Sequence, residues 1–423
     1  MSPVMNCSWK IIFLLALALI AIQYKAIRNF STKPVHTCPT SGPLNCTLMQ
    51  DMEPQDRACE EYSLFNYNGS RKTHILILAT TRSGSSFSGQ LFNQHSDIFY
   101  LYEPLYHVQV ALLPKLILSR NPAERRIMMG ANRDLLRSLY DCDLYFLESY
   151  LKPQPTNHTT LKLFRRGASK ALCTPPVCSA YGPADINIEE NTCVKQCGLL
   201  NLTLASESCK ERGHVAIKTV RVPEVGDLRA LVEDPRLNIK VIQLVRDPRG
   251  ILTSRIETFP DIYRLWRMWR ATNRKPYNLD ESLLTTICDD FLNSVSLGLS
   301  RPPWLKGKYM MVRYEDLARN PRKKTEEIYD FLGMSMDSNV EEWIQNNTRG
   351  GASEVRDKFG TVRDSAATAE SWRIKISFDI VLYAQRQCEQ VLDLLGYRMV
   401  NSSDELKNMS FSLVEEKPFP PFL

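Results

Sequence analysis

The chain has 423 residues, 43% hydrophobic and 24% charged. This is the usage of a globular protein with one large core or two modest ones, and it excludes disordered and fibrous classes. Its 53 Lys and Arg against 47 Asp and Glu leave a formal charge of +6 spread along the chain, with no long basic run interleaved with aromatics. That argues against nucleic acid, and an acidic small ligand or acidic polysaccharide matches better.

Residues Ile11 to Ile22 are uninterruptedly apolar, with Trp9 and Tyr24 at the ends and Lys10 just before. The run is short for a spanning helix, which needs about 20 residues, and a cleaved signal h-region has the same look. Lys10 on one side and Lys25 and Arg28 on the other leave the charge rule undecided. We expect an uncleaved anchor: 1–10 a cytosolic tail, 11–24 a signal-anchor helix, the remainder lumenal, the short span suiting the thinner membranes of the early secretory pathway. Residues 25–71 carry Pro, Thr, Ser and Cys without periodicity and read as a stem. Sequons include those at Asn45, Asn68, Asn157, Asn201, Asn346, Asn401 and Asn408, consistent with a lumenal glycoprotein.

The 12 cysteines agree with that compartment. Five fall between Cys173 and Cys209, and the CxxC pairs of common zinc modules are missing, so disulfides are expected and no metal. With Cys7 cytosolic an odd eleven remain, so one is free or pairs between chains in a homodimer.

From 72 to 400 strand-like and helix-like segments alternate, which predicts βαβ units and a mostly parallel sheet, an α/β domain. Expected strands are Ile75–Leu78, Ile98–Tyr102, His214–Val220, Lys240–Val245 and Tyr309–Arg313. Helical segments are expected after Ser86, within Pro122–Tyr150, around Asp227–Val232, and over Lys323–Leu332 and Trp372–Leu395. A cysteine-rich insertion (165–212) interrupts the alternation, and 401–423 read as a tail.

Two strand ends carry the chemistry. After Ile75–Leu78 come Thr80, Thr81, Arg82, Ser83, Gly84, Ser85 and Ser86, then Phe87, Leu91 and Phe92 at helical spacing. A strand breaking through small residues into a helix aims unpaired N–H groups and the positive helix end at one point, an anion cradle to which Arg82 adds a fixed charge. The plainer alternative is a tight turn with a solvated arginine. The second stretch runs from Val241 to Arg255. The strand ends at Arg246, Pro248 suits a first helical turn, and Ser254 follows Arg246 by eight residues, about two helical turns. Arg246 and Ser254 can then close on one phosphate beyond the carboxyl end of the sheet. Alternatively Arg246 and Asp247 are a structural ion pair. A P-loop kinase would need Gly-x4-Gly-Lys-Ser/Thr, and a dinucleotide enzyme GxGxxG; neither occurs here.

These two motifs resemble the 5′-phosphosulfate and 3′-phosphate loops of sulfotransferases that use 3′-phosphoadenosine 5′-phosphosulfate (PAPS). The first-loop arginine, anchor and stem are similar to those of the Golgi carbohydrate 6-O-sulfotransferases. Segments 7–24, 99–108, 135–148, 214–225 and 301–321 are similar to members that act on galactose of keratan sulfate. The resemblance implies a P-loop-NTPase-like sulfotransferase fold, a Golgi type II membrane enzyme, PAPS as co-substrate, no metal, and a glycan acceptor sulfated on the galactose 6-hydroxyl. N-acetylgalactosamine of chondroitin and N-acetylglucosamine are alternative acceptors. The rival from another class is a non-catalytic lumenal glycan-binding protein.

By position, the resemblance puts Thr81, Arg82, Ser83, Gly84, Ser85, Ser86 and Phe87 around the 5′-phosphate and departing bridge oxygen, where Arg82 stabilises developing charge. It puts Arg246 and Ser254 on the 3′-phosphate, and Arg363 and Ser365 in a loop folding over the nucleotide. Glu103, directly after the second strand, is the implied base; alternatively it caps the next segment or pairs with Arg82. His107 is the fallback base. The Tyr314-Glu-Asp-Leu317 sequence is read as structural. Trp266 and Trp269 among Arg264, Arg267 and Arg270 either face an anionic glycan or form an ordinary amphipathic helix.

Overall fold

The computed structural model describes residues 72–112, 122–186, 188–348 and 364–423. The expected anchor and stem, and Arg363, lie outside the described residues.

Five strands form one parallel sheet: β1 (Thr73–Leu78), β2 (Ile98–Tyr102), β3 (His214–Thr219), β4 (Ile239–Val245) and β5 (Tyr309–Arg313), in the order β2-β3-β1-β4-β5. Every residue of β1 is buried, because both faces are covered. Leu76 and Leu78 join one hydrophobic cluster with Phe99 and Leu101, while Ile75 and Ile77 join the opposite one with Ile98 and Tyr100. A strand buried on both sides reads as a continuous apolar run.

The chain leaves β1 for β2 on one side of the sheet and leaves β4 for β5 on the other. The crevice between the neighbouring ends of β1 and β4 is therefore a topological switch point, where open α/β sheets hold ligands. Helices α1 (Ser85–Asn93), α2 (Pro122–Tyr140), α3 (Pro248–Thr258), α4 (Arg264–Thr272), α5 (Ser282–Leu299) and α6 (Tyr314–Arg319) flank the sheet.

The insertion is stapled by Cys173–Cys193 and Cys178–Cys197, and Cys209 reaches back to Cys142 at the end of α2. A fourth disulfide, Cys288–Cys388, joins α5 to the C-terminal region. The helix expected over Trp372–Leu395 is instead three pieces, a 3-10 turn at Ser371–Ile374 and helices Phe378–Gln387 and Glu389–Leu395. Ser377 is extended (φ −77°, ψ 146°), and Cys388, tied to Cys288, leaves helical geometry (φ −114°, ψ 15°). Residues 401–423 pack back: Phe422 donates its N–H to Tyr309 O at 3.0 Å, and its carbonyl accepts from Gly307 N at 2.6 Å, on the outer side of β5.

Candidate active site

The loop after β1 is shaped by two left-handed residues, Arg82 (φ 73°) and Gly84 (φ 91°). Ser83 closes the turn, donating from N (3.1 Å) and Oγ (2.8 Å) to Thr80 O. Gly84 is the N-cap of α1, and among the described residues no side chain caps that helix. A Cβ at Gly84 would overlap the Tyr314 ring, so the loop lies flat on an aromatic plate only glycine permits. Among the described residues the first-turn N–H groups of α1 thus have no side-chain acceptor, the arrangement of an anion cradle. Phe87 points away, into the core against Trp343 and Tyr314.

Arg246, at the end of β4, donates from Nη1 to Arg82 O at 2.9 Å and lies 4.7 Å from the Tyr314 ring centroid. It is 8% exposed, and its buried Nε has no hydrogen-bond partner among the described residues. The alternative pairing with Asp247 is not made. Asp247 caps α3 through Arg249 N (2.9 Å) and holds the Arg249 guanidinium at 2.7 Å, both fully packed. Two turns along α3, Ser254 Oγ accepts from Arg82 Nε at 3.0 Å. Sequence reasoning missed Arg255, the next residue. Its Nε donates to Thr81 O (3.1 Å) and its Nη2 to Thr80 Oγ1 (3.0 Å), clamping the loop onto α3. Glu315 buttresses the same corner, accepting from Asp247 N at 3.2 Å and Tyr397 OH at 2.7 Å.

Glu103 sits immediately beyond β2 in a left-handed conformation (φ 48°), its N–H extending the ladder to Lys218 O at 2.9 Å. Its carbonyl accepts from Tyr106 N at 3.0 Å at the start of the next helix, so its backbone caps that segment, but its carboxylate neither caps it nor pairs with Arg82. Its carboxylate is hydrogen-bonded by Lys218 Nζ and lies 3.2 Å from Arg221 Nη2. Burial pushes that carboxyl up, but Lys218 and then Arg221 pull it down further, and it stays below the usual carboxylate range. Lys218 is fully buried, with Nζ 3.9 Å from the Tyr102 ring centroid. Both cations end the His214–Val220 strand segment, which was their only signal in the sequence. His107 is neutral: burial lowers its pKa to about 4, and its Nε2 accepts from Phe164 N at 3.0 Å.

The remaining predicted residues do not join this cluster through the contacts they make. Ser365, at the start of helix Ser365–Glu370, donates to Ala318 O at 2.6 Å. Trp266 and Trp269 stack at 5.7 Å inside the core, so α4 is an amphipathic helix with arginines outward. Among the described residues no group of three His, Cys, Asp or Glu could hold a metal ion.

An uncapped helix start, a flat glycine turn and a buried arginine with an unused N–H suit two phosphate-like anions beside an ionised carboxylate. A model of the sulfotransferase domain matches residues 72–396, and the chain belongs to the sulfotransferase family. It is similar to carbohydrate sulfotransferase 1 of Danio rerio, 71% identical over 420 residues (99% of this chain, 100% of that one), and of Homo sapiens, 67% over 418 (99% and 100%). Carbohydrate sulfotransferase 3 of Mus musculus is 41% identical over 368 residues, covering 86% of this chain and 76% of its own. The chain is a PAPS-dependent carbohydrate sulfotransferase.

Proposed function

We propose that this enzyme transfers sulfuryl from PAPS to the 6-hydroxyl of galactose in keratan sulfate and related N-acetyllactosamine chains. The observation that carries the site assignment is the double tie of Arg82, whose Nε meets Ser254 and whose carbonyl meets Arg246. One residue thus welds two loops, each suited to one phosphate of the donor. Arg246 and Ser254 serve the 3′-phosphate; Thr81 to Phe87 serve the 5′ side through backbone N–H groups and the Arg82 charge.

The acceptor oxygen forms a bond to sulfur as the bridging S–O bond breaks. The departing electron pair falls on the 5′-phosphate oxygen, where Arg82 and the first-turn N–H groups of α1 stabilise it more in the transition state than before. The hydroxyl proton passes to Glu103, which Lys218 and Arg221 hold aimed and ionised.

The choice of galactose is supported by the family resemblance of whole segments and by greater likeness to the carbohydrate sulfotransferase 1 relatives than to the 3 relatives. The four disulfides, the sequons and the apolar run at 11–22 support a Golgi type II membrane protein with a lumenal catalytic domain. The test is incubation of the full-length enzyme with labelled PAPS and keratan, chondroitin and lactosamine acceptors, followed by mapping of the sulfated carbon. Label on carbon 6 of galactose is expected; label only on N-acetylhexosamine would overturn the acceptor assignment.

A further inference from the structure

The residues at the start of the cysteine-rich insertion pack against Tyr102 and Tyr106, which flank Glu103. Phe164 stacks on Tyr106 with centroids 3.9 Å apart. Ser169 Oγ accepts from Tyr102 N at 3.0 Å, and Lys170 N donates to Asn93 Oδ1 on α1 at 2.7 Å. Between them stands Arg165, left-handed at φ 47°. Glu190 grips it, accepting from Nε at 3.0 Å and Nη2 at 2.6 Å. Gly167 lets this turn press on the Glu190 backbone, where a Cβ would overlap it. The helix that starts at Glu190 carries Cys193 and Cys197, bonded to Cys173 and Cys178.

The remaining arm of Arg165, Nη1, reaches the Tyr102 hydroxyl at 3.1 Å, and that hydroxyl lies 3.1 Å from Ser86 Oγ on the donor loop. A guanidinium can only donate. The Tyr102 oxygen therefore accepts from Arg165. With one lone pair so engaged, the arrangement that uses its O–H sends that proton to Ser86, leaving the Ser86 hydroxyl a donor toward its loop; the 3.1 Å contact admits either direction. The face of the same tyrosine ring carries Lys218, the partner of Glu103. Tyr102 is thus the joint between the donor side and the acceptor side, and the insertion sets its polarity.

We propose that Arg165 is a positioning residue for sulfuryl transfer, acting through the Tyr102 hydroxyl to fix Ser86 as a hydrogen-bond donor to the 5′ end of the nucleotide. This rests on the donor-loop reading above and is independent of which sugar accepts.

The test uses full-length enzyme in detergent, with Arg165→Gln, Tyr102→Phe and the double variant. Calorimetric binding of 3′-phosphoadenosine 5′-phosphate is measured together with kcat and both KM values. Each single variant should raise the donor KM and weaken bisphosphate binding about tenfold, and the double should be no worse than the worse single, since both cut one chain. Arg165→Lys should recover part of the loss. Additive losses would overturn the proposal, as would an Arg165→Gln enzyme that melts lower but binds bisphosphate normally. Bisphosphate binding needs no acceptor. A wrong sugar assignment therefore leaves it intact, whereas failure of the donor-loop reading would appear as an Arg246→Ala enzyme that binds the bisphosphate as tightly as wild type.

Discussion

Glu103 and Lys218 form a buried ion pair across the ends of β2 and β3, with the lysine 0% and the glutamate 7% exposed. A carboxylate held below its usual range is fully charged at neutral pH, so it is ready to take a proton but is not itself a strong base. Glu103→Gln should keep bisphosphate affinity and lose turnover by about 10²–10⁴. An active Glu103→Gln enzyme would move the base elsewhere.

The same pair sets a pH dependence. Because the folded pKa of Glu103 is depressed, its ionised form persists below the usual range, and wild-type kcat/KM should show no acidic limb from it above about pH 4.5. Lys218→Met removes the strongest downward pull while burial still pushes up, so an acidic limb should appear at higher pH. Breaking a buried pair also costs about 3–5 kcal/mol, so the pH–rate profile must be taken on enzyme shown folded by circular dichroism. A profile identical to wild type would refute the coupling.

Arg246→Ala should separate the two phosphates. With its guanidinium gone, the preference for 3′,5′-bisphosphate over adenosine 5′-monophosphate should collapse by about 10–100-fold, as expected for a charge-assisted contact. Titration calorimetry with both nucleotides reads this directly, and an unchanged ratio would remove Arg246 from the 3′ site.

Gly84 is the least substitutable residue in the loop. Gly84→Ala meets both the φ of 91° and the Tyr314 ring, so strain of about 1–3 kcal/mol should fall on the cradle and bisphosphate binding should drop sharply. Gly130, inside α2 with nothing nearby, is the contrast: Gly130→Ala should be neutral or stabilising by up to about 1 kcal/mol. Equal effects from the two would discredit the plate.

Asp290 on α5 lines a small cavity with Thr80, Val222 and Gln243 at the strand ends. Burial, then Glu224, Asp227 and Asp289, push its carboxyl up to about 7 against the opposing Arg125. A raised acid favours the folded state below its unfolded pKa, and that contribution is lost as pH rises through about 7. Asp290→Asn should therefore flatten stability between pH 4 and 7 and gain about 1–2 kcal/mol at pH 8 after screening. Denaturant midpoints across that range check it; a variant less stable at pH 8 would contradict the sign.

The five strands could be read from the sequence because each is a short, mostly apolar stretch, broken by Lys218 and Thr219 in β3 and by Lys240 and Gln243 in β4. The two loops proposed to hold the phosphates could be read because small residues and an arginine directly follow two of those stretches. Arg255, Lys218 and Arg221 could not. Each looks like a solvated charge at an element's end, and its partner lies far along the chain, Lys218 and Glu103 being 115 residues apart and Arg255 and Thr80 175. Nor did periodicity reveal the break at Cys388, since a disulfide to Cys288 leaves no local pattern.

Each outer strand of the sheet is met at one point of its free edge by another part of the chain. Ser169 takes the Tyr102 N–H on β2, and Phe422 exchanges backbone bonds with Tyr309 and Gly307 beside β5. Margins occupied at these points are a poorer template for strand addition. Edge-to-edge pairing of two copies would first have to displace these contacts, which disfavours that route to growth.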